Sequence, residues 1–254
     1  MSKKTNLSVV IPAYNEIKNL GRGVLRDVYK YLSAQKYSWE IVLVDDGSSD
    51  GTLKVLRDFA KKNKNVRVLK NMHAGKAEAV ISGILASKGE VALFSDMDQA
   101  TPINQIDKLL PKFNEGYDLA IGSRVGRKGS PFSRKVMAYG FMLLRTLVLR
   151  LPYKDTQCGF KAFKKSAAEK IFSRMKVFRK GQIAKGSSVK AGFDLEILYI
   201  ARKLDLKVAE VKVEWRNAGE RGGSGVSPLK DSWEGFRDLM RVRLNAFLGK
   251  YNVA

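Results

Sequence analysis

The sequence predicts an α/β fold: a mostly parallel sheet with helices on both faces. Two observations predict it. Short apolar, β-branched runs alternate with segments of helical spacing through the first half of the chain. Those runs are apolar throughout, as in strands buried on both faces. A third observation sets the scale. With 254 residues, 44% of them hydrophobic, the chain can bury a sizeable core. There is no internal repeat and no clean linker, so one domain with C-terminal helical elaborations is expected over residues 1–254.

The elements read as follows. Leu7–Ala13 is a buried strand. Glu16–Ala34 is a helix with Leu20, Val24, Val28 and Leu32 at helical spacing. Trp39–Val44 is a second strand, ended by Asp45-Asp46-Gly47. Ser49 or Asp50 caps the next helix, which carries Leu53, Leu56 and Phe59. Val66–Leu69 is a third strand, Lys76–Ser87 a helix, and Glu90–Ser95 a fourth strand. Pro102 opens another helix, and Tyr117–Ser123 is a fifth strand. Beyond it lie a Gly/Ser/basic loop (126–133), a helix over Lys135–Leu151 and a short polar turn over Lys154–Ala162. That helix sets Met137, Phe141, Leu144, Val148 and Leu151 on one side, with Arg145 and Arg150 at its edge. A helix (Phe193–Lys203), a strand (Lys207–Trp215) and an amphipathic helix (Asp231–Leu248) complete the chain. The Gly-rich stretch Ala218–Ser227, with Gly222, Gly223 and Gly225, reads either as a flexible lid or as an inert loop.

Composition excludes several chemistries. A single Cys158 leaves no internal disulfide and no cysteine zinc cluster. A single His73 leaves no multi-histidine site. Any bound metal is therefore held mainly by oxygen, which favours Mg²⁺ or Mn²⁺. Cys158 reads as a turn or core residue, His73 as a loop residue, Trp215 and Trp233 as packing residues. The first residues are not a signal peptide, and no segment reaches the roughly 18–20 apolar residues that span a bilayer. The expectation is an intracellular chain without a transmembrane anchor.

The formal net charge is +22, and it is unevenly placed. Residues 124–190 hold eighteen Lys or Arg against Asp155 and Glu169 alone. Such a block attracts anionic surfaces, phospholipid headgroups among them. Arg127, Lys128, Arg134 and Lys135 precede the apolar helix, a pattern of elements that lie on membrane surfaces. Packing of that helix in the core is the alternative.

Ligands of open α/β sheets bind beyond the carboxyl ends of the strands. Three strand ends carry suggestive residues: Pro12-Ala13-Tyr14-Asn15-Glu16, Asp45-Asp46-Gly47-Ser48 and Asp96-Met97-Asp98-Gln99. Carboxylates converging there would repel a nucleotide diphosphate unless a divalent cation lies between them. Asp-x-Asp spacing lets one carboxylate reach the metal while the other takes a hydroxyl or a metal-bound water.

The series VVIPAYNE, IVLVDDGSSDGT, AGKAEAVISGILASKGE, SDMD and AIGSR resembles the GT-A glycosyltransferases of family 2. DTQCGFKAF, FDLEIL and VAEVKVEW narrow the resemblance to the dolichyl-phosphate or polyprenyl-phosphate sugar synthases, and within them to the glucose branch. It covers roughly residues 6–243. It implies a Rossmann-like GT-A domain, with a nucleotide-sugar-binding half (1–123) and an acceptor-binding, membrane-facing half (124–254). By resemblance, Pro12, Ala13, Tyr14 and Glu16 match the base and ribose end. Asp45 or Asp46 matches the base-contacting acid. Gly75 and Lys76 match a loop near the nucleotide. Asp96 and Asp98 match the Asp-x-Asp motif, with Asp98 the direct metal ligand and Gln99 a further one. Arg124 and Arg134 match basic residues at the diphosphate and the acceptor phosphate.

The implied reaction is inverting transfer of a hexose from UDP-glucose, with GDP-mannose as runner-up, onto a polyprenyl phosphate. The implied setting is the cytoplasmic face of the membrane, reached peripherally or through a membrane-protein partner. An acceptor phosphate is already anionic, which fits a chain with no evident activated nucleophile. A family 2 transferase with a non-lipid acceptor is the nearest alternative. A nucleic-acid-binding protein would leave the clustered acids unexplained, so nucleic acid is not an expected partner. A dinucleotide oxidoreductase lacks its G-x-G-x-x-G after the first strand.

Overall fold

A computed structural model describes residues 6–124, 132–177, 192–216 and 228–252, with 132–138 and 228–232 described by their backbone. In chain order the elements are β1 (Leu7–Ala13), α1 (Ile17–Gly21), α2 (Val24–Ser33), β2 (Trp39–Asp45), α3 (Thr52–Lys62) and β3 (Val66–Lys70). There follow α4 (Lys76–Leu85), β4 (Val91–Ser95), a 3-10 turn (Ile103–Gln105), α5 (Ile106–Asn114), β5 (Leu119–Ser123) and α6 (Phe132–Leu149). The last are β6 (Phe160–Lys164), α7 (Lys165–Phe172), α8 (Gly192–Lys203), β7 (Val208–Lys212) and α9 (Pro228–Phe247).

The strands form one sheet in the order β3-β2-β1-β4-β6-β5-β7. β1 pairs in parallel with β2 and β4, and β2 with β3. β6 alone runs antiparallel, between β4 and β5. Alternate residues of each strand feed opposite cores. Val9, Ile11, Ile41 and Leu43 join one cluster with Val24, Leu25, Val28 and Leu32 of α2. Val10, Val42 and Val44 join the other, with Ala79, Val80 and Ile84 of α4. Burial on both faces explains the unbroken apolar runs. Each such aliphatic side chain contributes about 1.5–3 kcal/mol by leaving water.

The predicted mostly parallel sheet is present; several boundaries differ. The helix expected over 16–34 is two helices, broken at Gly23, whose φ of +79° admits glycine readily. Pro102 precedes the 3-10 turn rather than opening the α-helix. The predicted polar turn over 154–162 ends inside β6, because Phe160 and Ala162 are drawn into the sheet between β4 and β5. The strand expected over 207–215 is limited to Val208–Lys212. α6 begins at Phe132, so its first turn takes in residues read as loop. Arg145 is not at the edge of α6. It is buried, donating to Thr156 Oγ1 at 2.9 Å and to the Tyr153 carbonyl. The stretch 218–227 lies outside the described residues.

Candidate active site

The strand order reverses between β1 and β4, which opens a crevice at their carboxyl ends. Pro12 and Ala13 close β1 and lie in register with Val44 and Asp45 of β2. The loops beyond are stitched together. Asn15 takes a φ of +54°; its amide donates to Ser48 Oγ at 3.0 Å, and its side-chain oxygen accepts from Ser49 N at 2.9 Å. The Glu16 amide donates to Thr52 Oγ1 at 2.8 Å. The N-cap of α3 is Gly51 rather than Ser49 or Asp50, with a φ of +90° and no side-chain cap; Asp50, one residue earlier, accepts from Thr52 N at 3.0 Å.

Asp46 ties β2 to the loop before α4. Its carboxylate accepts from Ala74 N at 3.0 Å and from Gly75 N at 2.8 Å, and lies 2.8 Å from His73 Nδ1. The Tyr14 ring stacks on His73, centroids 4.0 Å apart and planes 11° from parallel. Asp45, fully buried, accepts from Gly47 N and Ser48 N through one oxygen; its other oxygen has no hydrogen-bond partner. His73, read from sequence as a loop residue, is thus in that loop but held among site residues.

The end of β4 is different. Glu16 lies within electrostatic reach of Asp98 and Asp96. Burial raises the Glu16 carboxyl above its ordinary range, and repulsion by Asp98 and Asp96 adds to the rise. Lys76, at the start of α4, places Nζ 2.5 Å from Asp96 Oδ1. Burial alone would lower the Lys76 ammonium, but Asp96, Asp194 and Asp98 together hold it above its usual value. Asp98 accepts from Ala100 N at 2.9 Å. Gln99 has a φ of +49° and donates to Ser95 Oγ and the Asp96 carbonyl, which leaves its side-chain oxygen buried without a hydrogen-bond partner.

The antiparallel course of β6 brings a further set of groups into this crevice. Ser95, the last residue of β4, is in register with Phe160, the first of β6. The loop before β6 therefore enters beside Asp96. A Cβ on Gly159 would lie 2.0 Å from Asp96 Oδ2, so the Asp96 carboxylate fits there only over glycine. Lys161, fully buried, donates to the Cys158 carbonyl and pairs with Asp194 of α8 at 2.7 Å. Burial raises Asp194, which feels the charges of Lys161, Lys76 and Asp96. Sequence reasoning assigned Lys161 and Asp194 no role. The signal was a lysine inside an apolar strand and an acid opening an apolar helix.

Arg124, at the end of β5, grips Asp155 through Nε at 2.6 Å and Nη2 at 2.8 Å, and its amide joins at 3.0 Å. Despite burial, this pairing holds Asp155 well below the usual carboxylate range. The Arg124 charge is thus largely matched within the fold. Cys158 is buried and its thiol is raised by that burial, consistent with a core residue. Arg127 and Lys128 lie outside the described residues. Arg134 and Lys135 belong to the first turn of α6, their side chains likewise outside.

The residues suit a divalent cation in part. Asp96, Asp98 and the unpartnered Gln99 oxygen supply hard oxygen donors. Among the described residues, no three of His, Cys, Asp and Glu stand together as a ready metal cage. A cation here would complete its shell with diphosphate oxygens and water.

Residues 8–172 match the model of Glycosyl transferase family 2. The chain is 36% identical over 267 residues to the dolichyl-phosphate beta-glucosyltransferase of Dictyostelium discoideum, covering 97% of this chain and 76% of that one. It is 32% identical over 271 residues to the human protein of the same name, covering 99% and 79%. In fold it resembles glucosyl-3-phosphoglycerate synthase from Mycobacterium tuberculosis, solved with Mn²⁺, uridine diphosphate and glucosyl-3-phosphoglycerate. That likeness has a TM-score of 0.57 at 19% identity and covers 98% of this chain and 81% of that one. The architecture is the GT-A fold, and the chain belongs to glycosyl transferase family 2.

Proposed function

We propose that this glycosyltransferase moves glucose from UDP-glucose onto dolichyl or another polyprenyl phosphate, inverting the anomeric carbon. One observation carries the reading. At the strand-order switch Glu16 lies in the field of Asp98 and Asp96, and Lys76 pairs with Asp96, an arrangement of charge suited to a cation and a phosphate. The relatives named as dolichyl-phosphate beta-glucosyltransferases supply the donor and acceptor class.

In this scheme the base and ribose bind over Pro12, Ala13, Tyr14 and Glu16, with Asp45 and Asp46 closing the base end. Gly75 and Lys76 cover the diphosphate. Asp96, Asp98 and Gln99 hold Mg²⁺ or Mn²⁺, which neutralises the leaving diphosphate when bound. The acceptor phosphate is already a nucleophile, so the protein's task is to hold two anions in line. Arg124, fixed by Asp155, and Arg134 serve the diphosphate and the acceptor phosphate. Arg127, Lys128 and Lys135 extend that basic surface toward the lipid. Residues 1–123 act as the donor half and 124–254 as the acceptor half. The setting is the cytoplasmic face of a membrane, approached directly or with a membrane-protein partner. No described helix is long and apolar enough to cross a bilayer.

The test is direct. Purified protein with Mg²⁺ or Mn²⁺, polyprenyl phosphate and either UDP-glucose or GDP-mannose is assayed for glycolipid by mass spectrometry. Product from UDP-glucose alone is expected, abolished by chelator and restored by metal. Product from GDP-mannose alone reassigns the donor; full activity in chelator removes the metal from the scheme. Arg134→Ala should raise KM for the acceptor more than for the donor, and the reverse would move Arg134 to the diphosphate.

A further inference from the structure

Four charged side chains from four elements stand on one face of the sheet. Phe94 of β4 lies in register with Lys161 of β6, and Ser95 with Phe160. Alternation along the strands then sets Asp96 and Gly159 on the same face as Phe94 and Lys161, and the Asp96 carboxylate does lie over Gly159. α4 and α8 cover that face: Ala79, Val80 and Ile84 of the first and Phe193 and Leu195 of the second share a core with Phe94. Each helix opens with a charge, Lys76 on α4 and Asp194 in the first turn of α8.

The charges alternate in sign. Lys76 Nζ is 2.5 Å from Asp96 Oδ1, and Lys161 Nζ is 2.7 Å from Asp194 Oδ1. The two pairs feel each other. Against burial, Asp96 and then Asp194 hold the Lys76 ammonium above its usual value. Burial raises Asp194, and Lys161 and then Lys76 oppose the rise. Lys161 is sealed in the sheet beside the Phe94 ring, whereas the Asp194 side chain keeps 16% of its surface exposed. Asp194 is also well placed: Gly192 donates to Asp238 of α9 at 3.3 Å, and a Cβ there would lie 2.4 Å from the Asp238 Cβ, so α8 begins in close contact with α9. A buried ion pair stabilises a fold little more than apolar packing would. Lys161 therefore needs another reason to sit in an apolar strand.

We infer that Asp194, fixed by Lys161, is a positioning residue for Lys76: it offers the ammonium a second carboxylate, and Lys76 passes to it from Asp96 when Asp96 takes a cation. The flexible four-carbon stem of lysine permits the move while α4 stays in place. Lys161 sets the strength of the pull. By matching Asp194 it keeps that carboxylate from drawing Lys76 away while Asp96 is without a metal. A cation at Asp96 then displaces an ammonium that has somewhere to go, so no like charges are left in contact. The inference deepens the metal assignment at Asp96 and rests on it. It gives Lys161 and Asp194 a part in loading the site without contact to either substrate.

The test is Mn²⁺ binding to the full chain without nucleotide, followed by electron paramagnetic resonance. Lys161→Met with Asp194→Asn removes both charges of the pair, so no buried charge is stranded and the net charge near the ion is unchanged. Mn²⁺ affinity should fall about fivefold, because Lys76 loses its second carboxylate and stays on Asp96. In a Lys76→Met background the same two changes should alter it by less than about twofold. Melting temperature is followed in parallel; a merely structural pair would lower it in both backgrounds and leave Mn²⁺ affinity the same. Unchanged affinity in the parent, or an equal fall in both backgrounds, overturns the inference. Should the pair variant not fold, a crystal structure of the unaltered protein with Mn²⁺ decides. Lys76 Nζ on Asp194 is expected there, and Lys76 Nζ still on Asp96 beside the bound ion overturns the inference. No Mn²⁺ binding by the parent or by Lys76→Met would instead sink the metal assignment itself, and this inference with it.

Discussion

Beyond the ends of β1 and β2 the polar groups, one Asp45 oxygen excepted, are satisfied by one another; at the end of β4 they are held against their charge. Asp46 has both oxygens engaged by the His73–Gly75 loop, and Asn15, Ser48 and Thr52 lock the neighbouring turns. Asp96 faces Glu16 and Asp98 as like charges and has Lys76 as its close cation. The first region is held by its own hydrogen bonds, which would suit the base and ribose that the proposed scheme places there. The second holds like charges near one another, which in the proposed scheme a cation and diphosphate would relieve. Lys76 already pairs with Asp96, so under the proposed scheme a metal at Asp96 would compete with it.

Four substitutions break or sharpen this contrast, ranked by their expected effect on turnover. Asp98→Ala should lower glycolipid formation by at least about a hundredfold while the melting temperature holds, because a strand-end carboxylate in a crevice contributes little packing. Retained turnover would remove Asp98 from the metal site. Gly159→Ala pushes a methyl group into the Asp96 carboxylate. Denaturant unfolding should show a loss of about 1–3 kcal/mol, and calorimetry a weaker metal-dependent affinity for UDP-glucose. A neutral outcome would mean that Asp96 has room to move.

Lys76→Met separates the two partners of the cluster. Donor affinity should fall about tenfold through the lost charge-assisted contact, while Mn²⁺ alone, followed by electron paramagnetic resonance, should bind more tightly. Weaker Mn²⁺ binding would show that Lys76 does not compete for Asp96. Asp155→Asn should touch stability more than chemistry. Asp155 is depressed in the fold from its ordinary value of 3.8, so its pairing with Arg124 stabilises the protein above that value and is lost as pH falls through the lower, folded one. Between about pH 5 and about pH 3 the parent should therefore lose more stability than the Asn variant. Parallel unfolding curves across that window would mean that the pair contributes nothing.

Unbroken apolar runs announced a sheet buried on both faces, and the acids ending three of them marked the crevice, because strand ends and their side chains are local properties. The series from VVIPAYNE to SDMD carried the family resemblance for the same reason. Strand direction and neighbours are different matters. Nothing in Phe160–Lys164 states that it runs antiparallel between β4 and β5, yet that pairing sets Gly159 against Asp96 and brings Lys161 to Asp194. Arg145 reads as the polar edge of an amphipathic helix until the 151–156 segment folds over it. Periodicity shows that α6 and α9 are amphipathic but cannot say which side the core takes. Only the packed structure decided that an apolar face remains outside on each, with Trp233 exposed rather than packed, since burial depends on what the rest of the chain covers.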